Sequence, residues 1–499
     1  MSDIFQPRRK IQKIFLIRPP LTTEPFESRT LSFPLGLAYL GAVLKQDYEV
    51  KLLDCLAEGF NYEVIEQEGV TYGLNPETIR KKIEAFSPDI VGISCLFSLQ
   101  YLSSLKIAYL VKDINPDIIT IMGGAHPSAL PQEFLVNSAV DFVLIGEAEE
   151  SIIQLLEAIK GRHDYSCIDG VAYRKDGKII VHPKTKYIRD LDRIPFPARD
   201  LLPMEIYFRV NRPHGMDSRF SRNTNMITSR GCSAHCVFCS IHTLFSRNYR
   251  ARSVENVIAE IETLKERYNI KEIQFEDDNL TLDKVRAKRL FREMSKRKLD
   301  IVWTAPNGVA LWALDEELID LMRQSGCRHV GLGIESGSQE VLDNIIGKPL
   351  NLKKIRPLIN KMRRSRIATT SFFIVGFPDE TFGQIKTTLR FAESLPTDDI
   401  NIFFATPYPG TELYKICQDR NLLGPNFNLA RLKASNINIL PQDISQRKLR
   451  KLVAQTVLRV RLKKVVTQPH ILIRHWFRRF RKEPRQAFLK VWKLFKDFL

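Results

Sequence analysis

The sequence predicts an α/β protein in which a doubly wound parallel sheet is followed by an incomplete (β/α)6 barrel and a basic helical tail. Three observations predict it. Short β-branched runs alternate with helix-length stretches, and the alternation stops and restarts once along the chain. A length of 499 residues exceeds one ordinary core, at ~100–200 residues per domain. The net charge of +18 is uneven: residues 447–499 hold 17 Lys or Arg against Glu483 and Asp497, so +15 belongs to the tail and +3 to everything before it.

In the first series the strand candidates are 13–17, 50–53, 90–94, 118–122 and 142–145, separated by helical stretches near 36–46, 76–86, 99–113 and 147–160. Five strands joined by crossover helices make a doubly wound sheet over residues 12–160, and ligands of such sheets sit at the carboxyl ends of the strands. Residues 161–223 read as a packed connecting region. They carry a hairpin pattern (171–174, turn Asp176-Gly177, 179–181) and the stretch Arg193-Ile194-Pro195-Phe196-Pro197. From 224 to 420 the alternation restarts, with strands at 225–229, 272–276, 301–304, 330–334, 371–375 and 400–405. Helices near 253–267, 283–297, 315–325, 351–365 and 380–394 separate them, which fits six β/α units with their chemistry at the C-terminal mouth.

Residues 421–499 form the helical C-terminal region. Near its end Phe488, Val491, Trp492, Phe495 and Leu499 recur at helical spacing among Lys490, Lys493 and Lys496; upstream, Trp476, Phe477 and Phe480 sit among Arg474, Arg478, Arg479 and Arg481. A basic helix with an aromatic face suits the surface of an anionic membrane. Nucleic-acid binding and a helix simply docked on the barrel are its competitors.

Composition narrows the function classes. Hydrophobic residues at 44% and charged residues at 26% are globular proportions. The longest uncharged stretch, 90–105, is broken by Ser, Gln and Gly, so no membrane span is expected. Arg8-Arg9-Lys10 precedes only a short apolar run, so no secretory signal is expected and a cytoplasmic location follows. The eight cysteines are scattered except for one tight group, which is not a disulfide framework.

That group is Cys232, Cys236 and Cys239, within Ser229-Arg230-Gly231-Cys232-Ser233-Ala234-His235-Cys236-Val237-Phe238-Cys239. Three thiolates on an iron–sulfur cubane leave one iron free to bind another ligand. Structural zinc, using the triplet with His235 or His242, is the competitor; it normally closes with four protein ligands, often as two separated pairs, and no second Cys pair exists.

A Cys-x3-Cys-x-aromatic-Cys loop after the first strand of a β/α barrel resembles the radical S-adenosylmethionine (SAM) superfamily. The resemblance implies a [4Fe-4S] cluster on the three cysteines, whose open iron chelates SAM and whose reduction yields a 5′-deoxyadenosyl radical. It extends along the barrel. Phe238 matches a position whose neighbourhood packs on the adenine, with plain packing as the alternative. Tyr249-Arg250-Ala251-Arg252-Ser253 resembles the family's YRxRS block. Glu276, Asp277 and Asp278, in Phe275-Glu276-Asp277-Asp278-Asn279, resemble the acidic strand end that places the SAM amino group, although Asp278 or Asn279 could instead cap a helix. Glu335 and Ser336, in Gly333-Ile334-Glu335-Ser336-Gly337-Ser338, match the position used for ribose hydroxyls. Gly376, in Val375-Gly376-Phe377-Pro378, matches the segment near the adenine.

The first unit lacks a G-x-G-x-x-G after its first strand, so a dinucleotide site is a poor reading. The order Pro34-Leu35-Gly36-Leu37, Asp54, Gly123-Gly124-Ala125-His126 and Gly146-Glu147 resembles the Rossmann-like cobalamin-binding domain fused ahead of radical SAM barrels. The resemblance implies cobalamin contacts from Gly123, Gly124, His126, Gly146 and Glu147. No Asp-x-His-x-x-Gly motif is present, so methylcobalamin would be held base-off without a His ligand. A domain that has lost cobalamin and persists as a scaffold is the alternative.

The family then implies a cobalamin-dependent C-methyltransferase: the radical removes hydrogen from an unactivated carbon, methylcobalamin delivers the methyl group, and a second SAM remethylates cobalt. A small-molecule or lipid-like substrate is expected, with a one-electron donor such as flavodoxin or ferredoxin, and peripheral membrane contact through the tail. Ring formation or rearrangement without net methylation, RNA modification, and a non-catalytic iron–sulfur sensor or scaffold are the other readings. No side chain is assigned a catalytic role in proton or group transfer.

Overall fold

The computed structural model describes residues 10–467, except 25–28, 67–68, 162–163, 216–217, 426 and 440–443. The apolar residues of the tail, Trp476, Phe477, Phe480, Phe488, Val491, Trp492, Phe495 and Leu499, lie outside the described residues. Among the described residues no helix is long and apolar enough to cross a membrane.

The first sheet contains β1 (Lys13–Arg18), β2 (Glu49–Asp54), β3 (Ile90–Ser94), β4 (Ile119–Gly123), β5 (Phe142–Leu144), β6 (Val171–Lys175) and β7 (Lys178–His182). Their spatial order is 7-6-5-4-3-1-2. Strands 1–5 run parallel; β6 and β7 add an antiparallel hairpin to the edge. The hairpin of the connecting region thus extends this sheet. The five parallel strands have the 2-1-3-4-5 order, which opens a crevice between the carboxyl ends of β1 and β3. A small antiparallel sheet, Leu21–Thr23, Glu63–Glu66 and Gly69–Tyr72, which the sequence did not suggest, follows from the β1 end.

Apolar residues alternate to both faces of the sheet and are covered by α1 (Leu35–Leu44), α2 (Pro76–Phe86), α3 (Tyr101–Ile114) and α4 (Glu149–Gly161). Helix α2 shows why these segments fold: Asn75 accepts the Thr78 amide, Pro76 opens the first turn, and Ile79, Ile83 and Phe86 share the buried face. Asp54 ends β2 by capping the amides of Leu56 and Ala57, while its other oxygen takes Tyr207 Oη at 2.6 Å and Arg18 at 3.1 Å.

The second unit holds β8 (Asn223–Met226), β9 (Glu272–Phe275), β10 (Val302–Ala305), β11 (Cys327–Glu335), β12 (Ala368–Val375) and β13 (Asp399–Phe404), all parallel and paired in that order. β8 and β13 are its free edges, so the barrel is open, as six units predict. Helices α5 (Val254–Tyr268), α6 (Lys284–Lys296), α7 (Glu316–Gln324), α8 (Ile355–Arg364) and α9 (Phe382–Ser394) cover its outside. Trp303 is wholly buried there, stacked on Phe291 at 5.0 Å, and its indole N–H reaches Ser325 Oγ at 3.1 Å. Of the basic tail, α10 (Gln446–Thr467) docks on the barrel, burying Leu449 and Val453 against Val375, Ile385 and Leu389. One apolar core runs through both units, joining Leu37 and Tyr39 of α1 to Tyr207, Met226 and Val254.

Candidate active site

The carboxyl ends of β8 and β9 frame the cysteine loop. Ser229–Arg230 pairs antiparallel with Arg250–Ala251, so the chain leaves and returns on one short ribbon. Gly231 sits at φ +83°, and a Cβ there would stand 2.4 Å from the Asn248 carbonyl oxygen, so glycine is required at the neck of the loop. Cys232 and Cys236 are buried and Cys239 half-buried.

A second segment seats the loop. Beyond β11, Leu342–Ile346 forms a π-helical turn, an irregularity frequent at functional sites. The Val237 amide donates to the Ile346 carbonyl at 2.9 Å, and Gly347 lies against the His235 carbonyl. Lys348, the next residue, pairs with Glu335 at 2.9 Å and acts electrostatically on both Cys236 and Cys239.

Burial pushes the Cys236 thiol up to about 11, against the pull of Lys348, and Cys239 up to about 12; Cys232 is also raised by burial. Asn279 Nδ2 stands 2.8 Å from Cys232 Sγ. Thiols kept neutral by burial ionise when a metal supplies positive charge, so this donor set fits a cationic iron–sulfur core.

The three adjacent acids after β9 divide. Asp277 is fully buried and committed: it accepts from the Thr228 amide (3.1 Å), Thr228 Oγ1 (2.7 Å) and Ser229 Oγ (2.5 Å). It ties the first two barrel strands together. Asp278 takes the Gly231 amide and lies close enough to Cys232 and Cys239 to raise both thiols; burial and Asp277 push its own carboxyl up to about 7. Glu276 accepts from Asn307 Nδ2 at 2.9 Å, keeps Oε1 buried without a partner, and is pushed by burial up to about 7.

At the end of β11, Glu335 adopts φ +68°, a left-handed conformation costly for a non-glycine residue, while it holds Lys348. Ser336 turns the other way. It is fully buried, its hydroxyl shared with Thr388 Oγ1 at 2.9 Å and the Ser338 amide at 3.1 Å, and these bonds order the loop. Phe238 is half-buried with its ring 6.1 Å from Phe377. The Gly376 amide donates to Glu380 Oε2 at 2.6 Å.

Glu380 gives the site a pH signature. Burial pushes its carboxyl up to about 7 from an ordinary value near 4.5, despite the amides of Gly376 and Phe377. A raised carboxyl binds its proton more tightly in the folded state, so stability is fullest below about pH 4.5 and falls as pH rises through 7. Glu380→Gln keeps the acceptor oxygen and removes the titration. Relative to the parent, this variant should gain on the order of 2–3 kcal/mol between pH 4.5 and 7.5, read from urea midpoints; an unchanged difference across that range would refute the assignment.

On the first sheet, Gly123 ends β4, and nothing lies within 4 Å of where its Cβ would be. Leu96 and Phe97, beyond the carboxyl end of β3, are 46% and 58% exposed, unusual for apolar side chains beside a sheet's ligand crevice. These fit a broad, flat cofactor. The other four residues expected at cobalamin are packed against the protein itself. Gly124 is hemmed in by the Cys95 carbonyl, 2.5 Å from its ideal Cβ, and Gly146 by Lys184, at 2.9 Å. His126 is a core histidine, its Nδ1 on Ser98 Oγ at 3.0 Å and its ring edge-on to Tyr101 and Phe134; burial lowers it to about 4. Glu147 accepts from Arg230 (3.2 Å), Arg250 (2.8 Å) and the Ile188 amide (3.1 Å). Sequence reasoning missed Lys348, Asn307, Glu380, Leu96 and Phe97, and offered Asn279 only as a possible helix cap.

An open β/α barrel with a three-thiol loop at its mouth, joined to a sheet with a free crevice at its carboxyl edge, defines a two-cofactor enzyme. The sequence matches the family model of the Radical SAM superfamily over residues 226–392 and that of the B12 binding domain over residues 27–156. It is 34% identical over 464 residues to cytidylyl-2-hydroxyethylphosphonate methyltransferase of Streptomyces wedmorensis, covering 86% of each chain. It is 30% identical over 394 residues to the anaerobic magnesium-protoporphyrin IX monomethyl ester cyclase of Rubrivivax gelatinosus, covering 78% of this chain and 66% of that one. Among solved structures, the radical SAM methyltransferase TsrM from Kitasatospora setae shares the fold at a TM-score of 0.65 and 18% identity, over 83% of this chain and 76% of that one. The chain belongs to the cobalamin-binding branch of the radical SAM superfamily. Its cofactors are a [4Fe-4S] cluster, SAM and cobalamin.

Proposed function

We propose that this enzyme transfers a methyl group to an unactivated carbon of a small-molecule substrate. The observation that carries the proposal is the placement of the thiol loop: its flanking ribbon is ion-paired to the rim of the first sheet, so both cofactor sites open toward one junction. When bound, the cluster with SAM supplies a carbon-centred radical and cobalamin supplies a methyl group that SAM cannot readily give to a non-nucleophilic carbon.

The protein's own residues bind, orient and exclude water. Cys232, Cys236 and Cys239 would hold the cluster. Asp278, beside the thiols, and Glu276, with its unpartnered oxygen, would receive the SAM amino group, and a cation there restores their carboxylate forms. Lys348, fixed by Glu335, would offer its charge to the SAM carboxylate, and Glu335 would take a ribose hydroxyl. Phe238 and Phe377 would wall the adenine site, with Gly376 beside them. Gly123, Leu96 and Phe97 would meet the cobalamin ring from the edge of the first sheet.

Anaerobic turnover with dithionite and SAM tests the reading. A cytidylyl-linked 2-hydroxyethylphosphonate, the substrate class in the name of one relative, is the first to try. Methyl transfer must release S-adenosylhomocysteine and 5′-deoxyadenosine together, one of each per methylated product. With a substrate that is consumed, 5′-deoxyadenosine alone eliminates methyl transfer. Ring formation, the activity in the name of the Rubrivivax relative, would then be the favoured chemistry.

A further inference from the structure

Between the two units lies a buried group of four charged side chains that the chemistry above does not use. Arg230, two residues before Cys232, donates to Glu147 at 3.2 Å and to Glu149 at 2.6 Å. Arg250, across the ribbon from Arg230, donates to the second Glu147 oxygen at 2.8 Å, to the Ile188 carbonyl at 2.6 Å and to the Phe245 carbonyl at 2.8 Å. None of the four side chains is more than 10% exposed. Aromatic rings enclose the guanidiniums: Tyr39 and Phe245 each lie 5.3 Å from Arg230, and Tyr187 lies 5.3 Å from Arg250.

The two acids follow the carboxyl end of β5, on the rim where the first sheet binds its ligand. The two arginines occupy both strands of the ribbon from which the cysteine loop hangs. Taking two carboxylates and two guanidiniums out of water costs several kcal/mol per ion, and apolar residues of the same size often stabilise equally well. A network of this kind is therefore weak as a source of stability and strong as a source of registry, because each fork accepts its carboxylate in one geometry. The adjoining contacts follow suit. Gly146 packs on Lys184 and on the Leu244 carbonyl just past the loop, and Gly410 packs on both Thr243 and Ala129, so small residues let the two rims close without a gap.

We propose that Arg230, Arg250, Glu147 and Glu149 are positioning residues that fix the distance and orientation between the cluster and cobalamin. The proposal rests on both cofactors binding where the preceding section places them. A radical made at the barrel mouth and a methyl group carried on the first sheet must meet one substrate carbon, and effective concentration in such a ternary site falls steeply with an ångström of misplacement. The network holds that separation constant from one side.

The test is a distance and not a rate. In anaerobically prepared holoenzyme, reduction makes the cluster and cob(II)alamin both paramagnetic, and their dipolar interaction falls with the inverse cube of separation. The native enzyme should give one resolved interaction. Arg230→Met should keep full iron, sulfide and cobalamin content while losing that single interaction to a broad distribution, and Arg230→Lys should restore part of it. If Arg230→Met fails to fold, Glu149→Gln is the second variant. It leaves Glu147 between both arginines and should broaden the distribution less. A sharp native interaction in the fully loaded variant overturns the proposal. Native protein lacking iron or cobalamin would instead overturn the cofactor assignment, and the loading analysis separates the two failures.

Discussion

Cys236→Ala should abolish reductive SAM cleavage, with 5′-deoxyadenosine falling to the level of an enzyme-free control. Cys236 would be the middle ligand of the loop; it is buried, and the Val237 amide seats it on the Ile346 carbonyl. Loss of one thiolate from a three-cysteine site leaves two irons without protein ligands, and the cluster should be lost with the activity. The loss should exceed the roughly 10–100-fold that removal of an outer-shell partner costs at a metal site. Asn279→Ala supplies that milder comparison, since it removes only the donor to Cys232 Sγ and leaves all three thiolates in place. It should retain iron and a reduced rate. Anaerobic reconstitution followed by iron analysis and chromatography of the products reads both variants. Cleavage by Cys236→Ala at even a tenth of the parent rate would contradict the ligand assignment.

Glu260→Gln should destabilise the fold by about 3–5 kcal/mol, the range for breaking a buried ion pair by removing one partner. Glu260 is 1% exposed on α5 and holds Arg199 of the connecting region at 2.7 Å and Arg252 at 2.5 Å. Burial by itself would push its carboxyl up, and the two guanidiniums outweigh that and hold it below the ordinary carboxylate range. A depressed carboxyl contributes stability that is present above its unfolded value and lost as pH falls through the folded one, so the deficit of the variant should shrink in acid. Arg199 also donates to the Asn225 carbonyl and Arg252 to the Ile227 carbonyl, beside the first barrel strand. Both guanidiniums would stay buried with their compensating charge removed. Against a typical total of ~5–15 kcal/mol, a loss of this size is visible as a large drop in the urea midpoint at pH 7. A drop below about 1 kcal/mol would show the site to be hydrated and the triad to be peripheral.

The architecture was legible because most parallel strands are apolar, β-branched runs bounded by turn residues, and four of the five barrel helices carry a capping residue ahead of an amphipathic stretch. Ser253 before α5, Asp283 before α6 and Asp315 before α7 all cap as their sequence positions suggest. The small sheet around Thr22 and Thr71 was not legible, since its strands are short and mostly polar, with no alternation to read. The hairpin at Val171–Lys175 could be recognised as two strands, but periodicity does not say which sheet a strand joins.

At the site, the motif located the right strand ends and blurred individual residues. Two side chains at those ends turn into the protein, Asp277 onto Thr228 and Ser336 onto Thr388, contacts that no local sequence signal announces. The ion pairs of Glu147 were not legible, because its partners, Arg230 and Arg250, lie more than eighty residues away and nothing local announces them. Lys348 had a faint signal, a lone cation at the end of the apolar turn Ile345-Ile346-Gly347, but its pairing with Glu335 depends on the π-helical turn that swings it back. Leu96 and Phe97 look like core residues in sequence, and only the 2-1-3-4-5 strand order leaves them at an open crevice.

The central claim is that Cys232, Cys236 and Cys239 carry an iron–sulfur cubane with one iron left open. Metal and acid-labile sulfide analysis of protein purified without oxygen, combined with low-temperature EPR after reduction and again after adding SAM, tests it most directly. The account predicts about four irons and four sulfides per chain, with a reduced-cluster signal that changes shape when SAM binds the open iron. Stoichiometric zinc with neither iron nor sulfide would contradict it.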